Sequence, residues 1–258
     1  MRKYYKNQMR SASVIMDYRG QFIGMSILPY PSLIKAVGAR LLPGSCLLCG
    51  ADSESGVICA ACQADLPMLP PRLCPVCAEQ TTHGERCGAC LKDAPHFDRT
   101  IAAFRYDFPL DRVIHALKYG HQLALAPWFG QHMLARFTDP DVDRIVPLPL
   151  HRDRLRERGF NQAGEIARTL GAALGLPVDL DVLLRTRATP PQADLTDKER
   201  RRNVRGAFEC RSDFSGQRLL LVDDVMTTGA TANECARTLK IHGARSVAVL
   251  VAARAFKH

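Results

Sequence analysis

The stretch Leu219–Thr231, LLLVDDVMTTGAT, decides the fold of this 258-residue chain. It begins with a run of apolar residues, which is typical of a strand that is buried on both faces. Two adjacent carboxylates, Asp223 and Asp224, follow the run, and a turn of small residues then leads into a predicted helix, Thr231–His242. Several backbone N–H groups at a helix start have no partner within the helix, so this turn is suited to bind a phosphate.

The same stretch indicates what the phosphate is attached to. The two carboxylates would repel a phosphate, but they can accept hydrogen bonds from neighbouring sugar hydroxyls, as acidic residues do in other nucleotide-binding folds. A phosphate beside a vicinal diol is a ribose 5-phosphate. The alternative is structural: the aspartates end a strand, and Thr228 or Thr231 caps a helix. That alternative explains the threonines but not the paired acids, and the lysine and glycine patterns of other phosphate loops are missing from the stretch.

The rest of the C-terminal part predicts an α/β fold. From Arg99 onward, predicted strands (100–106, 143–147, 219–223 and 246–253) alternate with predicted helices (110–118, 123–137, 161–174 and 231–242). Continuous apolar strands that alternate with helices indicate a mostly parallel sheet covered on both faces. Residues 185–204 are polar and charged, and we predict a mobile loop with a short helical stretch there.

Cysteines dominate the segment before this fold. Eight of the ten cysteines form four Cys-x-x-Cys pairs, and the first two pairs have the same spacing as the last two: Cys46, Cys49, Cys59, Cys62, Cys74, Cys77, Cys87 and Cys90. Two such pairs complete a tetrahedral shell of four thiolates, so we predict two structural zinc ions, each bound by four cysteines. The repeat favours sequential pairing over cross-bracing. The alternatives are an iron–sulfur cluster or one occupied site, and Cys210 and Cys235 are predicted to be ordinary packed cysteines.

Charge and hydropathy are less informative. The formal net charge is +9, but residues 1–45 contribute seven basic residues and one aspartate, so much of the basicity lies in the N-terminal part. No run approaches the roughly 20 apolar residues of a membrane span, and we expect no membrane insertion. The N-terminus lacks the apolar core of a signal peptide, so we expect a cytoplasmic protein. Residues 1–45 are predicted to form a tail with a short helix near 31–42, or to include an early start ahead of Met25.

At this point the sequence resembles a known family. The segment Val222–Thr231 is similar to the 5-phosphoribosyl-1-pyrophosphate (PRPP) fingerprint of type I phosphoribosyltransferases. From about residue 42 to 255 the chain resembles the ComF (competence protein F) family, in which a double zinc ribbon precedes a phosphoribosyltransferase domain. Four further motifs carry this resemblance: HALKYG (115–120), VPLPLHRDRLRERGFNQ (146–162), PPQADL (190–195) and RRNVRGAF (201–208). The implied domains are a tail (1–45), a double zinc ribbon (46–90), a linker (91–98) and a type I phosphoribosyltransferase fold (99–258).

The resemblance implies roles for individual residues. Asp223 and Asp224 would hold the ribose hydroxyls, and a loop with His151 and Arg152 would bind the pyrophosphate. The implied catalytic residues are Asp223, Asp224 and Arg152, and the implied PRPP-binding residues are Asp223, Asp224, Val225, Met226, Thr227, Thr228, Gly229, Ala230, Thr231, His151 and Arg152. Magnesium would accompany PRPP. The sequence leaves the roles of seven further positions open, either because they match family motifs without an assigned role or because a surface role is equally compatible: Lys118, Tyr119, Arg156, Arg158, Gln192, Arg201 and Asn203.

Two functions follow from the resemblance. In the first, the protein transfers a phosphoribosyl group to an unidentified acceptor and is linked to DNA uptake in natural transformation. In the second, it is a non-catalytic protein that handles single-stranded DNA or partners a DNA-uptake helicase, and PRPP binding is regulatory. The ribbons contain no tryptophan and few aromatic residues for base stacking, which speaks against DNA binding by the ribbons alone.

Overall fold

A computed structural model of the chain describes residues 44–53, 57–138, 141–187 and 202–256. The strands are β1 (Gly44–Ser45), β2 (Asp52–Ser53), β3 (Arg99–Arg105), β4 (Arg144–Pro147), β5 (Leu183–Arg185), β6 (Phe208–Cys210), β7 (Arg218–Met226) and β8 (Ser246–Arg254). The helices are α1 (Ala60–Ala64), α2 (Gly88–Lys92), α3 (Leu110–Tyr119), α4 (Leu125–Leu134), α5 (Arg152–Arg158), α6 (Gln162–Leu174) and α7 (Ala230–Ile241). The predicted tail helix, Met25, the PPQADL motif with Gln192, and Arg201 lie outside the described residues.

The centre of the fold is a parallel sheet with the strand order β3-β8-β7-β4. This arrangement confirms the predicted α/β class with a mostly parallel sheet. Strand β7 continues further than the sequence predicted, because it pairs with β8 as far as Met226 and Arg254. Asp224 therefore lies within the strand together with Asp223, and the turn begins after Met226.

Alternating residues of the central strands pack on opposite faces of the sheet. Leu220 and Val222 belong to an apolar cluster with residues of α3, α4 and α6. Leu219 and Leu221 belong to a second cluster that contains the buried face of α7. Because both faces are covered, these strands need apolar residues at every position, which explains the continuous run in the sequence.

Each half of the cysteine-rich segment packs against a different face of this core. Cys46, Ile58 and Leu66 are buried in the cluster with α3 and α4. Cys74 and Cys90 are buried in the cluster with α7. The predicted linker is packed as well, since Phe97 is 3% exposed. The ribbon segment therefore shares the core of the sheet domain.

The described residues also answer the question of membrane spans. Within them, no helix is both long enough and apolar enough to cross a membrane.

Candidate functional site

The candidate site lies at the carboxyl edge of the parallel sheet, where ligands bind in open α/β folds. The ends of β3, β4 and β7 meet there around a cavity of about 280 Å³. Residues from several separate segments line it: Tyr106, Lys118, Leu148, Pro149, Leu150, Arg154, Gln162, Arg185, Asp223, Asp224, Val225, Thr227 and Thr231. Both aspartates predicted to bind a ribose are among them.

The two aspartates are held differently. Asp224 is 3% exposed, and its Oδ2 lies 3.1 Å from Nζ of Lys118. Asp223 is half-buried and accepts a hydrogen bond at its Oδ1 from the backbone N–H of Asp224, at 2.8 Å. The Asp223–Asp224 peptide thus fixes one carboxylate, and a lysine from α3 fixes the other.

The surroundings raise the pKa values of both Asp223 and Lys118. Burial, followed by repulsion from Asp224, raises the pKa of Asp223 to about 8, against the opposing attraction of Lys118. Burial by itself would lower the pKa of Lys118, but attraction by Asp224 and Asp223 outweighs it and the pKa is raised. Lys118 is therefore a charged residue of the site. Its side chain lines the cavity and pairs with Asp224, so it does not have the solvated surface position that the sequence also allowed.

The predicted phosphate turn lies directly beside the acid pair. Gly229 precedes the first turn of α7 with a φ of 76°, in the left-handed region that glycine adopts without strain. The N–H of Ala230 donates to Oγ1 of Thr228 at 3.3 Å. A second cavity of about 60 Å³ is lined by the turn, Asp223 and Val251. Asp223 and Thr227 line both cavities, so the acid pair and the turn form one continuous surface.

The basic residues are distributed differently from the expectation. Arg152 is the first residue of α5 and is exposed, and His151 caps that helix by accepting from the N–H of Asp153 at 3.3 Å. The cavity is instead lined by Arg154 and Arg185, which sequence reasoning did not single out. Arg154 belongs to the same basic run as Arg152, so the run was a usable signal. Arg185 is brought in by a bridge between its backbone and that of His151, which nothing in the sequence indicates.

The remaining motif residues lie at the margin of the cavity. Arg158 is 8% exposed, donates to Oε1 of Gln162 at 2.7 Å, and lies 5.0 Å from the ring centre of Tyr119. Arg156 is exposed, and its Nη1 lies 3.8 Å from Oδ1 of Asp153. Arg158 therefore supports the wall of the cavity, while Arg156 has the solvated position that the sequence left open.

The cysteines form two separate groups of four, Cys46/Cys49/Cys59/Cys62 and Cys74/Cys77/Cys87/Cys90. Within each group the ligand atoms all lie within 4.8 Å of one another. Cys49 and Cys59 have their sulfurs 3.7 Å apart, and Cys77 and Cys87 have theirs 3.5 Å apart. A tetrahedral zinc ion with Zn–S bonds of about 2.3 Å requires sulfurs about 3.8 Å apart. The clusters fit zinc, and the sequential pairing is confirmed.

Backbone N–H groups also stabilise the thiolate form of Cys46 in the first cysteine group. The N–H of Cys59 donates to Sγ of Cys46 at 3.3 Å. Burial would raise the pKa of Cys46, but backbone N–H donors from Cys59, Cys49 and Leu48 outweigh it and lower the pKa to about 6. A thiolate is the form that binds zinc. Cys210 and Cys235 are buried outside both groups, as predicted.

Comparison with known proteins finds the same two parts. The double zinc ribbon domain matches residues 37–91, and the phosphoribosyl transferase domain matches residues 155–257. The DNA utilization protein YhgH of Escherichia coli K12 is 34% identical over 218 residues, which cover 81% of this chain and 96% of that protein. Competence protein F of Haemophilus influenzae is 30% identical over 209 residues, covering 77% of this chain and 90% of that protein. The chain belongs to the ComF family.

Other matches of this ComF-family chain are more distant. Competence protein ComFC of Bacillus subtilis is 24% identical over 217 residues, which cover 75% of this chain and 88% of that protein. A purine phosphoribosyltransferase from Pyrococcus horikoshii is 18% identical, with a TM-score of 0.29, over 50% of this chain and 71% of that one. The fold class of this ComF-family member rests on its sheet topology and on the domain matches.

Proposed function

We propose that this ComF-family protein binds PRPP and transfers its phosphoribosyl group to an unidentified acceptor. One observation carries the proposal: the phosphate turn and the acid pair share a continuous surface at the carboxyl edge of the sheet. A phosphate site beside two carboxylates suits a ribose 5-phosphate, whose phosphate and diol are a few ångströms apart. Neither feature alone would distinguish a sugar phosphate from a free anion.

Each part of PRPP would meet a different part of the site. The backbone N–H groups at the start of α7 would bind the 5-phosphate, helped by the positive end of the helix dipole. Asp223 and Asp224 would accept hydrogen bonds from the two ribose hydroxyls. The pyrophosphate would extend toward the loop with His151 and Arg152 and toward Arg154 and Arg185. A guanidinium group can bind two phosphate oxygens at once, which suits a departing pyrophosphate.

The reaction would proceed by positioning and electrostatic stabilisation. The bond between C1 of the ribose and the pyrophosphate oxygen breaks, and its electron pair leaves with the pyrophosphate. A lone pair of the acceptor forms the new bond to C1, and a proton on the attacking atom of a neutral acceptor passes to solvent. The basic residues would stabilise the charge on the leaving group. Magnesium, bound mainly by PRPP oxygens and water, would neutralise the pyrophosphate further. No covalent nucleophile is needed on the protein.

Titration calorimetry with PRPP and magnesium tests binding, and pyrophosphate release across a panel of nucleobases, amines and nucleic acids tests transfer. We expect saturable binding and a release of pyrophosphate that depends on one class of acceptor. The double variant Asp223→Ala/Asp224→Ala should lose PRPP binding while it keeps its fold and its metal content. Equal binding by this variant would remove the site assignment.

The names of the relatives, DNA utilization protein and competence protein, favour a role connected with DNA. We infer such a role for this chain. A cytoplasmic location, the binding of single-stranded DNA and a helicase partner stay predictions from the sequence. Binding of labelled single strands at increasing salt separates the two functions. A DNA affinity that falls steeply with salt, without any pyrophosphate release, would favour the non-catalytic alternative.

A further inference from the structure

Arg254, at the end of β8, connects the second cysteine group to the phosphate turn. Its Nε donates to the carbonyl of Cys77 at 2.9 Å, and its Nη2 lies 2.9 Å from Oε2 of Glu79. Its Nη1 donates to the carbonyls of Met226, at 3.2 Å, and of Thr227. One guanidinium group, 3% exposed, therefore binds a zinc-ligand residue on one side and the start of the phosphate turn on the other.

Apolar packing forms a second connection between the same two parts. Phe97 follows the ribbon segment, and a methyl group added at Gly229 would lie 3.7 Å from its ring. Met226 and Ala230, which flank the turn, are buried in the same apolar cluster as Cys74 and Cys90. Movement of the second ribbon would therefore expose one side of the turn.

A third connection reaches the first turns of α7. The N–H of His96, two residues before Asp98, donates to Oδ1 of Asn233 at 2.6 Å. Lys240, near the other end of α7, lies 2.8 Å from Oδ1 of Asp98. The chain segment that leaves the second ribbon is thus attached along α7, the helix whose start would bind the phosphate.

We propose that Arg254 is a positioning residue through which metal in the second cysteine group strengthens phosphate binding by the turn. A four-cysteine ribbon takes its folding free energy from the metal, so loss of the metal would release Cys77 and Glu79. Arg254 would then lose two of its partners, and the carbonyls of Met226 and Thr227 would lose a fixed donor. A turn with more freedom must be ordered on binding, which costs affinity. The ligand part of this inference rests on the proposed function, whereas the link between metal and turn does not.

Linkage makes the coupling reciprocal, so a ligand of the turn must also retain the metal. The first test uses the unaltered protein loaded with zinc, a chromophoric chelator and ribose 5-phosphate. We expect saturating ribose 5-phosphate to tighten the binding of one of the two zinc ions about tenfold, measured by equilibrium competition with the chelator and within the usual range of allosteric coupling. A zinc affinity that does not change with bound ligand would overturn the proposal.

The second test compares two arginines of the central sheet. Arg254→Gln should weaken ribose 5-phosphate binding about tenfold and abolish the effect of the ligand on zinc affinity. Arg254→Lys should recover little, because an ammonium group lacks the planar fork that reaches both partners. Arg218→Gln is the matched control, since Arg218 forms an ion pair with Asp143 at 2.9 Å at the opposite end of β7. An equal loss of affinity in both glutamine variants would contradict a specific role of Arg254.

The third test needs no ligand and separates the two proposals. Hydrogen exchange of the amides of residues 227–230 is measured in Cys90→Ser, which disrupts the second group, and in Cys49→Ser, which disrupts the first. We expect faster exchange of these amides in Cys90→Ser only, and the same change in the unaltered protein when a chelator removes its metal. Unchanged exchange after metal removal would overturn the coupling. Responsive exchange without any ribose 5-phosphate binding would leave the coupling in place and refute the proposed function.

Discussion

The Nζ atom of Lys118 lies 3.1 Å from Oδ2 of Asp224, and this ion pair joins α3 to β7 inside the candidate site. The lysine is 22% exposed at its side chain, and the carboxylate is 4% exposed. Lys118 also lowers the pKa of Asp223, although burial and Asp224 together raise it to about 8. The charge state of Asp223 therefore depends on a residue outside the strand and turn that the sequence singled out.

Binding of ribose 5-phosphate should strengthen as the pH rises from about 7 to about 9. Burial raises the pKa of Asp223 to about 8, so the ionised carboxylate, the better acceptor for a sugar hydroxyl, becomes the main form in this range. The phosphate itself is already ionised above pH 7. Calorimetry at several pH values measures the effect, and Asp223→Asn should show a flat profile. A flat profile in the unaltered protein would contradict this prediction.

The same shift has a consequence for stability without ligand. The folded state binds the proton of Asp223 more tightly than the unfolded state does, because the folded pKa is raised. The contribution of this group is therefore favourable at low pH and is lost as the pH rises from about 4 to about 8. Urea unfolding should show that the contribution of Asp223 to the free energy of unfolding falls between these pH values, and that this fall is absent in Asp223→Asn.

Replacing Lys118 by methionine should weaken the site in two ways. The pKa of Asp223 should rise further, because an attraction that lowers it is removed. The pH range over which ribose 5-phosphate binding strengthens should therefore move upward. Asp224 would lose its ion pair while buried, and the uncompensated charge should cost about 3–5 kcal/mol of folding free energy. Denaturant unfolding and binding at fixed pH measure the two effects. Lys92→Met, at an exposed lysine of α2, is the control and should change neither quantity.

Gly229→Ala should weaken phosphate binding by the turn, while its effect on stability should match that of an alanine at a comparable glycine elsewhere. Gly229 has a φ of 76°, and an added methyl group would lie 2.5 Å from the terminal carbon of Met226. Gly175 is a matched control at the end of α6, with a φ of 68° and open space around its Cα. Both alanine variants should lose about 1–2 kcal/mol of stability from the left-handed conformation. Reduced ribose 5-phosphate affinity is expected only in Gly229→Ala, and equal affinities would show that the turn does not bind the phosphate.

Local patterns predicted much of this fold. The apolar run of β7, the helix ended by Gly175 and the repeated cysteine pairs are properties of short segments, and all three hold in the structure. The extension of β7 through Asp224 was missed because pairing with a neighbouring strand overrides the polarity of a residue.

Long-range contacts were the part that local patterns could not supply. Arg185 enters the cavity from a strand that the sequence did not predict, and Arg254 directly follows the predicted strand 246–253, without a sign of its partners in the sequence. An arginine in a sequence looks the same whether it is solvated or buried. Its partners are decided by the packing of distant segments, as for Lys118 and Asp224.

Arg154→Ala and Arg152→Ala distinguish the two candidate contacts to pyrophosphate. Arg154 lines the cavity, while Arg152 is exposed at the start of α5. Loss of a charge-assisted hydrogen bond costs about 1.5–3 kcal/mol, so we expect Arg154→Ala to weaken PRPP binding by roughly ten- to a hundredfold. Arg152→Ala should have a smaller effect. Ribose 5-phosphate, which lacks the pyrophosphate, is the control ligand, and its affinity should be similar in both variants.

The metal content of single-cysteine variants tests the two four-sulfur sites. The unaltered protein should contain two zinc ions per chain by mass spectrometry of the metals, since both groups have sulfur spacings suited to zinc. Cys62→Ser should retain one, because three thiolates and a hydroxyl hold zinc less well than four thiolates. Cys210→Ser is the control and should retain both, as Cys210 lies outside the two groups. Iron in place of zinc, or the loss of both ions in Cys62→Ser, would refute two independent structural zinc sites.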